Sequence, residues 1–212
     1  MKKSKFIKST IILMIGGLLT KLLGMIIKIV QTRLLGTEGV GIYMLIMPTF
    51  SLLVALAQLG LPVAISTLVA RDNRNNKKLV FSVIPISLMI NGIIMIFLFL
   101  FSSYLANNLL HEPRSYYALL GMGFVLPFIS ISSIIRGYFF GKERMIPHVI
   151  SNIVEDVIRL IILAIGIPIF LVSGLEFAVA FIILSNIVSE LTSILVLFFF
   201  LPKKFHISKR DF

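Results

Sequence analysis

The sequence predicts an all-α polytopic membrane protein with six spans, on three observations. Of 212 residues, 58% are hydrophobic and only 14% charged, more apolar surface than a soluble domain of this length can hide. The apolar residues collect in runs of roughly 20 to 30, the length that crosses a hydrocarbon core of about 30 Å at 1.5 Å per residue. Basic residues cluster at alternate ends of these runs. Helices are the expected spans because they satisfy their own backbone groups in lipid, and no period-two barrel pattern is present.

The first span, about 9–33, follows "MKKSKFIK". That opening resembles a signal peptide, but Lys21 interrupts the apolar region and no small-x-small cleavage pattern follows, so the segment reads as an uncleaved span. "LLGTEGV" leads into span two, about 40–69, which carries Pro48, Gly60 and Pro62. "RDNRNNKK" precedes span three, about 79–106, and "NNLLHEPRSYY" precedes span four, about 117–140, with Pro127 inside it. Proline frees a carbonyl and kinks a helix, so Pro48, Gly60, Pro62 and Pro127 are hinge candidates. "GKERMIP" leads to span five, about 148–173; a bare "SGL" leads to span six, about 175–201. Residues 1–202 thus form one six-helix transmembrane domain, and 203–212 a basic cytoplasmic tail.

One side of this topology holds fifteen cations: Lys2, Lys3, Lys5 and Lys8; Arg71, Arg74, Lys77 and Lys78; Arg136, Lys142 and Arg144; and Lys203, Lys204, Lys209 and Arg210. The other side holds Arg33 and Arg114 alone. The positive-inside rule then puts both termini in the cytoplasm. The net charge of +11 is accounted for by topology and contact with anionic lipid heads, which argues against a nucleic-acid partner. There is no cysteine, hence no disulfide and no thiolate metal site. With no HExxH, no nucleotide-binding glycine loop and three scattered histidines, the chain reads as neither an enzyme nor a cofactor or metal binder.

Span one carries an unusual stripe. At 100° per residue Gly17, Lys21, Gly24, Lys28 and Gln31 share an arc of about 80°. A central lysine costs roughly 2.5–3.5 kcal/mol of insertion energy, the pair about 5–7, against roughly −5 to −11 from some eighteen apolar residues. The helix inserts with little margin. Two explanations stand: the ammonium groups line a wet cavity for an anionic ligand, or they snorkel or pair with an acid on another span. Lys28 is near enough to an end to snorkel; Lys21, about 18 Å along the span, is less easily explained that way.

Span five opens "HVISNIVEDVIRLIIL", placing His148, Ser151, Asn152, Glu155, Asp156 and Arg159 in its cytoplasmic half. Glu155 and Arg159 can pair at i, i+4. Span six carries Ser185, Asn186, Ser189, Glu190 and Ser193 at similar depth. Asn152, Glu155, Asp156, Arg159 and Glu190 form either a packing lock between helices or a gate of ion pairs.

Two stretches carry a family resemblance. "LLGTEGVGIYMLIMPTFSLLVALAQLGLPVAISTLVAR" (34–71) and "RGYFFGKERMIPHVISNIVEDVIRL" (136–160) resemble the polysaccharide exporters related to stage V sporulation protein B. That family lies in the multidrug/oligosaccharidyl-lipid/polysaccharide (MOP) flippase superfamily, which also contains lipid II flippases. The resemblance implies one lobe of a MATE/MOP-type alternating-access transporter in the bacterial plasma membrane. It implies a lipid-linked saccharide or peptidoglycan precursor as substrate, carried on undecaprenyl pyrophosphate and moved outward for cell-wall, spore-cortex or polysaccharide assembly. Lys21, Lys28, Gln31 and, near the outer mouth, Arg33 would then bind the anionic head group. Members of the family run to twelve or fourteen spans, so a second six-helix lobe or a second copy is the expected partner within the lipid bilayer. Two other functions are weighed: a multidrug or cation antiporter of the same superfamily, and a non-transporting scaffold for glycosyltransferases.

Overall fold

Two backbone breaks organise the first third of the chain. The computed structural model describes residues 2–71 and 76–201. Its first helix, α1, runs Lys2–Gln58, with one non-helical residue inside it, Gly36, at φ 69° and ψ −179°. The second break is at Leu59 and Gly60, both at positive φ, before α2, Leu61–Arg71. Only glycine adopts the Gly36 geometry without strain. From Ser9 to Arg71 this is a single apolar stretch of 63 residues, far longer than one crossing requires.

The chain folds back at Gly36, as its contacts show. Near the start of α1, Ser9 Oγ donates to the Glu143 carbonyl, and at the end of α2 Val69 packs where a side chain on Gly141 would stand. Ser9 and Val69 therefore lie at the same end of the bundle. The Gly36 turn lies at the opposite end, where Gly39 meets Leu175 and Glu38 meets Arg114 at 2.6 Å. Five apolar stretches of membrane length are present among the described residues. The expected six separate helices are thus not matched one for one: spans one and two are the limbs of one bent stretch, the second interrupted again at Leu59–Gly60.

The remaining elements are α3, Asn76–Tyr104, which widens into a π turn at Leu105–Leu109; a short turn at Pro113–Ser115; α4, Tyr116–Gly141; α5, Met145–Ser173; and α6, Leu175–Phe200. Residues 72–75 and the expected basic tail 203–212 lie outside the described residues, as do the side chains of Lys2, Lys3, Lys5, Lys8, Lys77 and Lys78. Helix α4 is the spine: fifteen of its residues are buried, from Ala118 to Phe139. Large apolar side chains are exposed on the other helices, among them Met14, Met89, Phe99, Val172 and Phe199. In water this surface would aggregate; in lipid it is the solvated surface. The protein is an all-α, multi-pass membrane protein.

Small residues set the closest approach of helices. A methyl group on Gly137 would stand 2.6 Å from the Pro62 carbonyl oxygen, and one on Gly141 2.6 Å from that of Ser66. The Gly137-x-x-x-Gly141 spacing is thus the seat of α2 on α4, a small-residue interface of the kind that lets membrane helices touch backbone to backbone.

Candidate functional site

The buried core divides into two apolar clusters. One gathers Leu35, Ile46, Ala57, Leu98, Met122, Leu163 and Ile183. The other gathers Ile65, Val69, Val80, Ile134, Phe139 and Leu197 near the Glu143 end. Between them runs a polar band that α1, α3, α4, α5 and α6 share.

Its charged part joins α4, α5 and α6. Arg136 Nη2 donates to Glu155 Oε2 at 2.5 Å, to Ser193 Oγ at 2.8 Å and, more distantly, to Glu190 Oε2 at 3.5 Å. Arg159 Nη2 reaches the other oxygen of Glu155 at 2.5 Å, and its Nη1 stands 3.6 Å from Asp156. Ser132 Oγ lies 2.5 Å from Glu190. The Glu155 and Glu190 side chains are each 8% exposed. Glu155 is ten residues into α5 and Glu190 ten residues before the end of α6, so both sit about 15 Å inside the bundle. Held by two guanidinium groups, Glu155 is the centre of the network. Charges desolvated to this degree persist only when paired.

The uncharged part of the band joins α3, α4 and α1. Asn91 Nδ2 donates to the Ser87 carbonyl at 2.7 Å and to Ser130 Oγ at 2.9 Å. Ser130 in turn donates to the Ala57 carbonyl at 3.2 Å, two residues before the Leu59–Gly60 break.

Of the expected network residues, Glu155, Asp156, Arg159 and Glu190 come together. Asn152 does not join the ion pairs; its amide lies 3.5 Å from His148 Nε2, and its Oδ1 is buried without a partner among the described residues. Arg136 is a correction. Sequence alone counts it among the cytoplasmic-side cations near the end of span four, yet it projects from five residues inside α4 into the middle of the network. A signal existed: Ser132, Ser133 and Arg136 are three or four residues apart in an otherwise apolar helix, which marks a polar face.

The lysine stripe is only partly uniform. Lys21, Lys28 and Arg33 are exposed, and space around Gly17 and Gly24 is open, with nothing within 4 Å of where a methyl group on either would stand. Gln31 instead turns inward, 7% exposed, beside the Tyr43 hydroxyl, which is itself within electrostatic reach of Arg159. The stripe thus borders the packed face of α1 and splits at its edge. Of the hinge candidates, Gly60 and Pro62 flank a real break, whereas α1 and α4 run on through Pro48 and Pro127.

At the Gly36 end, Arg114 bridges Glu38 at 2.6 Å and Glu112 at 2.8 Å, tying the second limb of α1 to the turn before α4. The hydrogen bond from Arg114 holds the Glu112 carboxyl below its ordinary range.

Fold and site together define a multi-pass helical membrane protein with a buried ion network and an open cationic flank. The chain belongs to the polysaccharide biosynthesis protein family, whose model matches residues 6–212. It is 43% identical over 204 residues to Stage V sporulation protein B of Bacillus subtilis (strain 168), covering 93% of this chain and 39% of that protein. To the Lipid II flippase MurJ of the same organism it is 24% identical over 217 residues, covering 95% and 40%. To Sporulation protein YkvU it is 28% identical over 168 residues, covering 76% and 36%. The chain spans about two fifths of the length of these relatives. No solved structure matches it significantly.

Proposed function

We propose that this chain is the N-terminal lobe of a flippase that moves an undecaprenyl-pyrophosphate-linked saccharide or peptidoglycan precursor outward across the plasma membrane by alternating access. It acts as a transporter rather than an enzyme, with both termini cytoplasmic. A second six-helix lobe, or a second copy of the chain, closes the cavity on the open flank of α1. The observation that carries this reading is the exposure of Lys21 and Lys28 beside open glycines: neither has an ion-pair partner among the described residues. Two cations at membrane depth gain most from a polyanionic head group, since charge-assisted contacts strengthen as the dielectric falls. The family match and the likeness to a protein named for lipid II flipping favour that substrate class. The likeness to Stage V sporulation protein B favours a role in sporulation.

In this scheme Lys21, Lys28 and Arg33 take the head group, with Gln31 at the edge of the site. The network of Arg136, Glu155, Asp156, Arg159 and Glu190 closes the cytoplasmic side, and the Gly60–Pro62 break supplies a hinge. Lys21→Gln with Lys28→Gln tests it: precursor export is lost while membrane abundance is unchanged. Export that survives both exchanges refutes the cavity role, and loss of abundance assigns the lysines to folding. Orientation is checked with an impermeant maleimide on intact cells, which labels Thr37→Cys and leaves Ser9→Cys unlabelled; the reverse pattern overturns it.

A further inference from the structure

The buried network holds three carboxyl groups, Glu155, Asp156 and Glu190, against two guanidinium groups, Arg136 and Arg159. Glu155 is tightly paired, Asp156 and Glu190 are not, and of those two Glu190 is the more buried, 8% against 16% exposed. Its nearest cation is 3.5 Å away, and Arg136 Nη2 has two hydrogens, already claimed by Glu155 at 2.5 Å and Ser193 at 2.8 Å. Among the described residues, the charged groups that reach Glu190 are Glu155 and Arg159 from α5 and Arg136 from α4. Beyond them Asp156 pairs with Arg159, and His148 faces Arg136 and Glu155.

Ser132 Oγ has one hydrogen and two oxygen neighbours, the Ile129 carbonyl at 3.0 Å and Glu190 Oε2 at 2.5 Å. Ser132 donates that hydrogen to Glu190, which leaves Glu190 with one neutral donor and no close cation to offset its burial. A neutral Glu190 removes the surplus buried charge.

We propose that Glu190 is a proton-binding site that switches the partner of Arg136. With Glu190 protonated, Arg136 ties α4 to α5 through Glu155 and touches α6 only through the neutral Ser193. When the carboxylic acid gives its proton to water, the new carboxylate draws the guanidinium toward α6. Glu155 tolerates the loss because Arg159 remains bonded to it. Arg136 is the exchangeable cation because Glu155 already has a second one. Proton occupancy thus sets how Arg136 is shared between Glu155 on α5 and the α6 pair Glu190 and Ser193, whatever cargo the protein carries.

The test uses the full chain in lipid nanodiscs, with and without carboxyl-¹³C glutamate. Infrared spectra are taken from about pH 6 to pH 10, spanning the ordinary carboxylate and lysine ranges. A neutral-acid carbonyl band that carries the glutamate isotope shift, vanishes on alkalinisation and is missing in Glu190→Gln supports the proposal. No such band in the wild type, or one that persists in Glu190→Gln, overturns it. Spin labels at Ile146→Cys and Leu195→Cys, in this cysteine-free background, read the α5–α6 separation. It shifts with the band in wild type and is pH-independent in Glu190→Gln. A separation fixed across the titration overturns the switch. Should Glu190→Gln not fold, the isotope-labelled wild type and its label distances decide alone. No cargo enters the assay, so its failure is separate from failure of the transport reading.

Discussion

Replacing Arg136 by methionine tells a solvated cytoplasmic-end cation from a member of a buried network. A solvated cation there would change stability by no more than about 0.5 kcal/mol. The structure demands more. The exchange removes contacts of 2.5 Å to Glu155 and 2.8 Å to Ser193 and leaves a carboxylate that is 8% exposed short of one cation. Truncating one partner of a buried ion pair costs about 3–5 kcal/mol. Because Arg159 still holds Glu155 at 2.5 Å, the lower end applies, about 3 kcal/mol, or roughly a hundredfold in the folded population. The double variant Arg136→Met with Glu155→Gln should lose less than the two singles added together, with a coupling of about 0.5–3 kcal/mol. The assay is reversible denaturation in mixed micelles, followed by helix content, for all four members of the cycle. A loss under about 1 kcal/mol in the single variant, or strict additivity in the double, would refute the network.

Three other outcomes are expected. Gly137→Ala forces a methyl against the Pro62 backbone and destabilises by about 1–3 kcal/mol, while Gly17→Ala, in open space, is neutral or gains up to about 1 kcal/mol of helix propensity; equal effects in the same denaturation assay would contradict the α2–α4 seat. In detergent, maleimide reacts quickly with Lys21→Cys and Lys28→Cys and slowly with Gln31→Cys, and comparable rates would show that Gln31 does not turn inward. Glu112 has its carboxyl range lowered by Arg114, so its contribution is present above the ordinary carboxylate pKa and disappears as pH falls through the lowered folded value. Arg114→Gln should therefore shrink the fall in Tm between neutral and acidic buffer, and an unchanged fall would disprove the link.

Much of the architecture is legible in the sequence because it follows from local physics. Length and apolarity mark the crossings, and Gly36 lies in the stretch read as a connection. Gly60 and Pro62 are flagged as a break by their chemistry alone. Sequence spacing stops where partners come from other helices. It aligns Gln31 with Lys21 and Lys28, but only packing against Tyr43 decides that Gln31 goes in and the lysines stay out. Likewise, Arg136 near the end of span four reads as one more cytoplasmic-side cation until Glu155 and Glu190 approach from α5 and α6. The Gly137–Gly141 pair is visible in the sequence as part of "RGYFFG", yet its meaning depends on Pro62 and Ser66, more than seventy residues earlier.

The polar band has a consequence for how the bundle can move. Ser130 and Ser132 are two residues apart on α4 and so point about 200° apart around its axis. Ser130 faces the uncharged side, where Asn91 and the Ala57 carbonyl meet it; Ser132 faces the charged side, where Glu190 meets it. Above and below the band the helices touch through apolar clusters, which resist sliding little because one methyl contact replaces another. At the band, contacts are directional, and breaking them in a low dielectric is costly. Helix α4 therefore carries two distinct polar latches, one to α3 and the Ala57 carbonyl, the other to α5 and α6, while α1 also packs on α5 at Gly16 and Val149. The Leu59–Gly60 break follows two residues after the Ala57 carbonyl that the latch holds. A rearrangement of the charged side can then leave the uncharged side intact. Ser132→Ala should change the separation of α6 from α4 and leave that of α3 from α4 unaltered, Ser130→Ala should do the opposite, and spin-label distances that move together in either variant would show that the two latches are not independent.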